Sequence, residues 1–232
     1  MYSIYNIFKY GMFMCGRYTL SSNLEDLSKE YSNDISGNFP AKYNISPGQS
    51  SAVIFYKENK YKFLDVEWGF KIFRNGNLII NARSETINKK IVFQELVKFQ
   101  RCLVPANSWF EWSGTKKPFL IKNKESKIIS FAGLYKIEEN GDKKFIIITS
   151  ETNGSLKMIH KRTPLVVKQK NFMDWLGEDY KGALSILKPI NHDDYDFYPV
   201  SPEVGKVSND SIDILEVYHH KENDIPLFPN LF

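Results

Sequence analysis

The chain has 232 residues, 42% hydrophobic and 15% aromatic, enough for one substantial core and too few for two domains to be expected. Thirty-one Lys and Arg against 27 Asp and Glu leave a formal charge of +4, which permits a polyanionic partner without requiring one. Two cysteines, Cys15 and Cys102, exclude a disulfide framework, and no apolar run reaches the length of a membrane span, so a cytoplasmic monomer free of membrane is expected.

In chain order, residues 1–14 (MYSIYNIFKYGMFM) are apolar enough to raise the question of a signal peptide. The segment lacks a basic start, Lys9 interrupts it, and Met12 and Met14 stand where a cleavage site needs small side chains. It is read instead as an N-terminal extension, lying ahead of a start at Met14 or removed, before a domain spanning 15–232. Leu24, Leu27 and Tyr31 share one helical face. The strand-like runs 52–56 and 61–68 flank a polar turn at 57–60, which predicts a hairpin. A helix is expected over 86–99, with Ile87, Ile91, Leu96 and Phe99 at broadly helical spacing. Strands at 101–104 and 108–112 follow, bent at Pro105, with Cys102 a core residue. A second hairpin pairs 127–137 with 145–150 around Asn140-Gly141. A short helix is expected at 171–176. With neither repeat nor linker, the pattern is α+β: a single domain with a curved, barrel-like, mostly antiparallel sheet and a few helices.

Four segments carry candidate chemistry: MCGRY (14–18), NARSET (81–86), RCLVPANSWFEW (101–112) and IHKRTPLVV (159–167). YNISPGQ (43–49), EWGF (67–70), FAGLY (131–135) and YPVSPEVGKVSND (198–210) support them. Together, in this order, they resemble the SOS-response-associated peptidase (SRAP) family over 14–209. The resemblance implies that Cys15 becomes the first residue and captures the aldehyde of an abasic site in single-stranded DNA, with no metal or organic cofactor.

The chemistry fits that position. An α-amine titrates near 7.7 to 8.0 against about 10.4 for lysine, so its neutral fraction at pH 7 is roughly 400-fold larger. An N-terminal cysteine can form an imine through nitrogen and close through sulfur to a thiazolidine. By resemblance, Asn81 positions Cys15, Glu111 handles protons as the sugar ring opens, and His160 assists imine chemistry. Arg83 and Arg17 are candidate phosphate contacts, and Trp68, Trp109, Trp112 and Pro47 candidate DNA contacts, the rings stacking on bases. The chain departs from the family pattern in three places: Thr163 stands where Met is usual, the stretch after Trp68-Gly69 lacks a customary Pro and Trp, and residues 1–14 precede Cys15 and as written deny it a free amine. His192, His219 and His220 match no motif, and no metal site is expected.

Two other functions fit the same residues. A thiol autopeptidase or amidohydrolase would use Cys15 on an amide with Glu111 or His160 as base. A noncovalent single-stranded-DNA-binding module would need the basic and aromatic groups alone.

Overall fold

The computed structural model describes residues 15–32, 35, 37–72 and 76–219. Its strands begin with β1 (Tyr18–Leu20), β2 (Lys42–Ile45), β3 (Ser50–Lys57), β4 (Lys60–Trp68), β5 (Phe70–Lys71), β6 (Leu78–Ile79) and β7 (Asn81–Arg83). They continue with β8 (Arg101–Ala106), β9 (Ser108–Trp112), β10 (Pro118–Asn123), β11 (Ile129–Ile137), β12 (Lys143–Glu151), β13 (Arg162–Pro164), β14 (Val166–Val167) and β15 (Tyr195–Pro199). The helices are α1 (Leu24–Glu30), α2 (Ile91–Phe99), α3 (Phe172–Leu176) and α4 (Tyr180–Ser185).

One five-stranded sheet has the order β15-β10-β9-β1-β2. A second runs β12-β4-β3-β8-β11 and closes on itself through a β11–β12 pairing, with β13 and β7 attached to β12 and β14 to β11. The result is a ring-like, mostly antiparallel sheet. The α+β, single-domain expectation holds, although the ring is not a strict barrel. β12 is the hub, flanked by β4, β7, β11 and β13. It is enclosed on both faces, so its centre reads as the uninterrupted apolar run Phe145–Ile148, all fully buried, rather than as an alternation.

Both hairpins form because their turn chemistry is local. β3 and β4 pair from Ser50↔Glu67 to Lys57↔Lys60, and Glu58 and Asn59 supply the positive φ angles, 55° and 58°, of a two-residue turn. The β11–β12 turn closes through Glu138 N–H to the Asp142 carbonyl (2.8 Å), with Gly141 at φ +87°. At Gly133 on β11, a Cβ would lie 2.8 Å from Cys102 Sγ, so Cys102 is packed into core space that only glycine leaves open. Asn23 caps α1 by accepting from Asp26 N–H at 2.8 Å.

Two expectations are corrected. Pro105 does not bend the chain: β8 continues through it, with Pro105 opposite Ser130 and Ala106 opposite Ile129, and the switch between sheets comes at Asn107. Asn107 Oδ1 accepts from Ser21 N–H (2.7 Å) and Ser22 N–H (3.2 Å), which fixes that crossing. The helix expected over 86–99 is only α2; residues 84–89 form turns, in which Thr86 N–H donates to the Arg83 carbonyl (3.1 Å). On α2 the buried residues are Phe93, Leu96 and Val97, whereas Ile91 and Phe99 are 85% and 73% exposed. Finally, α4 had no expectation; its apolar content is too sparse to give a period.

Candidate active site

Cys15 stands just ahead of β1. Tyr18 pairs with Trp109 and Thr19 with Ser108, and Phe110 N–H donates to the Arg17 carbonyl at 3.0 Å. Continuing that antiparallel register backward brings Cys15 to the Glu111 end of β9. The Cys15 thiol is fully buried and hydrogen-bonded with the Glu111 carboxyl. Burial first, and then the Glu111 charge, holds the thiol well above its ordinary pKa, against a lowering by the Arg17 backbone N–H. Burial likewise pushes the Glu111 carboxyl well above the carboxylate range, with the Cys15 hydrogen bond opposing. Burial thus favours the protonated, uncharged form of both groups.

The third member comes from the other sheet. His160 lies in the connection from β12 to β13, and its Nδ1 is 3.4 Å from Glu111 Oε2. The same Nδ1 is 2.9 Å from the Arg162 carbonyl. A carbonyl only accepts, so this contact assigns the proton to Nδ1 and leaves Nε2 as the basic nitrogen. The alternative tautomer would accept the longer Arg162 N–H contact, at 3.3 Å, and lose the shorter one.

Asn81 opens β7, which runs parallel to β12 with Asn81 opposite Ile147. Its Nδ2 donates to the Ile147 carbonyl at 3.4 Å, while its buried Oδ1 has no hydrogen-bond partner. Glu111 Oε1 is a second buried acceptor without one. Buried polar atoms are ordinarily paired, so both are available to a ligand or to water. Arg83, two residues along the same strand, is exposed opposite Thr149.

Other expected contacts sit differently. Trp68 and Trp109 are fully buried and are corrected to core residues: Trp68 stacks on Phe145 and donates Nε1–H to the Ile80 carbonyl (2.9 Å), and Trp109 lies edge-on to Phe131 and Tyr195. Neither ring has a face open to a base. Trp112 is half-buried beside Phe110, and Pro47 is half-buried between β2 and β3. Arg17 is only 7% exposed; Nη2 donates to the Gly205 carbonyl at 3.1 Å, its buried Nε is unpartnered, and burial lowers its pKa to about 10. Thr163 is buried opposite Ser150, and neither hydroxyl has a partner.

Several residues inside the motifs do structural work that the sequence did not assign. Arg162 donates to Thr149 Oγ1 (3.1 Å), the Thr149 carbonyl (2.7 Å) and Glu85 Oε2 (3.0 Å), locking β13 onto β12. Burial alone would raise the Glu85 pKa, but the Arg162 bond and the Glu85 and Glu151 backbone N–H groups leave it lowered. Asn44 Nδ2 donates to the carbonyls of Val204, Lys206 and Asn209, and Asp210 accepts from Tyr43 and Asn44 N–H. This clamp explains why YNISPGQ and SPEVGKVSND occur together. Among the described residues, no three His, Cys, Asp or Glu are grouped to hold a metal, and no helix is long and apolar enough to cross a membrane.

Comparison with known families places this arrangement. The model of the SOS response associated peptidase (SRAP) family matches residues 14–207, a span that contains Cys15, Asn81, Glu111 and His160. The chain belongs to the SRAP family. Among relatives, the abasic site processing protein YoqW of Bacillus subtilis is 32% identical over 222 residues, covering 88% of this chain and 99% of its own. The abasic site processing protein YedK of Escherichia coli is 29% identical over 222 residues, with coverage of 88% and 99%. The abasic site processing protein HMCES of Gallus gallus is 24% identical over 226 residues, covering 77% of this chain and 67% of its own. An X-ray structure of a protein from Bacteroides thetaiotaomicron shares the fold, with TM-score 0.75, 23% identity, and coverage of 88% of this chain and 100% of that one. The SRAP match thus takes in residues from both sheets, and Cys15, Glu111 and His160 meet where the sheets face each other.

Proposed function

We propose that this protein captures abasic sites in single-stranded DNA by forming a thiazolidine between Cys15, as its first residue, and the ring-opened sugar aldehyde. The observation that carries this reading is the buried chain of contacts from the Cys15 thiol to Glu111 and on to His160, in a family whose relatives are named abasic site processing proteins.

The protonation states suit a sequence in which nitrogen reacts first. The neutral α-amine adds to the aldehyde to give a carbinolamine. The protonated Glu111 carboxyl gives its proton to the departing hydroxyl, releasing one water and leaving an iminium. The resulting carboxylate, already bonded to the Cys15 thiol, accepts the thiol proton as sulfur adds to the iminium carbon. Glu111 ends protonated again, and the net reaction is aldehyde plus aminothiol to thiazolidine plus water. His160, with Nε2 basic, serves the proton transfers of ring opening, and the Asn81 amide oxygen can accept from the Cys15 amine. A thiol peptidase would instead need the thiolate at its first step, and the raised Cys15 pKa opposes that.

Exposed Arg83 is assigned a phosphate, with Arg17 contributing the donors that Gly205 does not occupy, and with Trp112 and Pro47 flanking the strand. Arg83→Ala should weaken noncovalent binding to single-stranded DNA and reduce the log-log salt slope by about 0.7. Equilibrium binding across a salt series checks this; unchanged affinity and slope would remove Arg83 from the interface.

Glu111→Gln tests the proton cycle itself. Crosslinking to abasic single-stranded DNA, read on denaturing gels, should slow by about 10²- to 10⁴-fold without vanishing, because the aminothiol retains intrinsic reactivity. Stability should move independently. The folded-state pKa of Glu111 is raised, so the native carboxyl holds its proton longer than the unfolded one, and wild-type stability falls as pH rises between the two values. Gln does not titrate. The variant should therefore gain stability relative to wild type as pH climbs out of the acidic range, in melts at matched pH; a constant difference across pH would contradict the buried neutral carboxyl.

A further inference from the structure

His192 lies far from the reactive contacts in sequence and belongs to none of the motifs, yet it is only 2% exposed. It opens a short 3-10 turn, His192–Asp194, that Asn191 caps and that leads into β15. This turn is tied to the end of β10, since Lys124 N–H donates to the Asp194 carbonyl (3.0 Å) and Lys124 Nζ to the Asp193 carbonyl (2.7 Å). β10 in turn pairs with β9 and places Phe119 opposite Glu111. His192 therefore moves with the sheet that carries Glu111.

Its ring reaches across to the other sheet. Nε2 accepts from Asn153 N–H at 2.9 Å, at the start of the connection that ends in His160. That connection closes on itself: Thr152 N–H donates to the Lys161 carbonyl (3.0 Å), Leu156 is buried, and His160 N–H donates to the Leu156 carbonyl (3.1 Å). Gly154, at φ +57°, lets the chain press against His192; a Cβ there would lie 3.3 Å from His192 Cβ. Because Nε2 must accept, the ring is held neutral with its proton on the buried, unpartnered Nδ1. Burial lowers the His192 pKa, outweighing Asp193, and so favours that neutral acceptor.

We propose that His192 is a positioning residue: its bond to Asn153 clasps the His160-bearing connection onto the Glu111-bearing sheet and sets the approach of His160 Nδ1 to Glu111. The inference rests on the reading of Glu111 and His160 as a proton-moving pair. It adds a residue of the β10–β15 side to that pair's support, through contacts distant from both.

The test uses the DNA-free protein, so its failure is separable from failure of the abasic-site reading. His192→Leu keeps bulk and removes the acceptor, while His192→Gln can return an amide oxygen to the Nε2 position. Native-state exchange of the Asn153 amide should be roughly threefold to tenfold faster in His192→Leu and near wild type in His192→Gln. Glu111→Gln should perturb the His160 ring nitrogen NMR signals in wild type and in His192→Gln, and this perturbation should collapse in His192→Leu. If His192→Leu does not fold, His192→Asn, whose amide is too short to reach Asn153, takes its place. A wild-type response of His160 to Glu111→Gln in the acceptor-free variant overturns the proposal, whether or not Asn153 exchange has changed.

Discussion

Replacing Cys15 by Ala in a chain that begins at residue 15 should abolish the stable adduct with abasic single-stranded DNA while sparing a weak, reversible one. The α-amine survives the substitution, so nitrogen can still reach the imine. What disappears is the sulfur held beside the imine carbon, and with it an intramolecular closure whose effective molarity can reach about 10⁵ to 10⁸ M. An imine hydrolyses when its partner is diluted or heated, whereas the closed ring carries two bonds from the protein to one carbon. On a denaturing gel the wild-type band should therefore persist and the Cys15→Ala band should be absent. Borohydride, which reduces C=N to an amine, should restore a covalent band for the variant. The thiol is also fully buried against Glu111, so a melt of the variant must accompany the gel. Removing one sulfur from a packed site costs about 1 to 3 kcal/mol by analogy with small core truncations, too little to unfold most domains. A heat-stable adduct formed by Cys15→Ala at the wild-type rate without borohydride would eliminate the thiazolidine.

Legibility in the sequence divides along the range of the interactions involved. The β3–β4 and β11–β12 hairpins could be read because their turns are specified by neighbours, as at Glu58-Asn59 and Asn140-Gly141. Cys15, Glu111 and His160 could be chosen because their motifs are short and chemically unusual. The sequence did not say that Glu111 and His160 stand on different sheets, nor that Asn44 and Arg162 hold distant segments together, since a hydrogen bond across 165 positions leaves no local pattern. Trp68 and Trp109 failed for another reason. A strand that is covered on both faces has no alternation to read, and β9 is buried from Ser108 through Glu111, so Trp109 in a core and Trp109 as an open platform would look alike. On α2 the period was present but its phase was not: Ile91 and Phe99 satisfy a helical spacing with Ile87 only if one helix runs through 84–90, where the chain instead turns.

The presence of residues 1–14 should decide whether the chain reacts at all. These residues lie outside those the structure describes, and the expectation is chemical. While any residue precedes Cys15, its nitrogen is a planar amide whose lone pair is delocalised into the carbonyl, and it cannot add to an aldehyde to form an imine. The thiol alone can give only a hemithioacetal, which reverses readily. Exposure of the α-amine by a start at Met14 with methionine removal, or by cleavage of the extension, would supply a nucleophile whose pKa lies near neutrality. The comparison is between protein beginning at Cys15 and full-length protein whose extension is shown by intact mass to be retained, each incubated with the same abasic single-stranded DNA. Crosslinking by the first and its loss in the second is the expected result. Noncovalent binding offers an internal control, because Arg83 is exposed on β7 and the phosphate contact proposed for it would not require a free amine. Retention of salt-dependent binding by the longer protein, with no covalent band, would locate its defect at the nitrogen. A stable crosslink from protein that still carries residues 1–14 would require a nucleophile other than the Cys15 amine, and the N-terminal aminothiol mechanism would have to be given up.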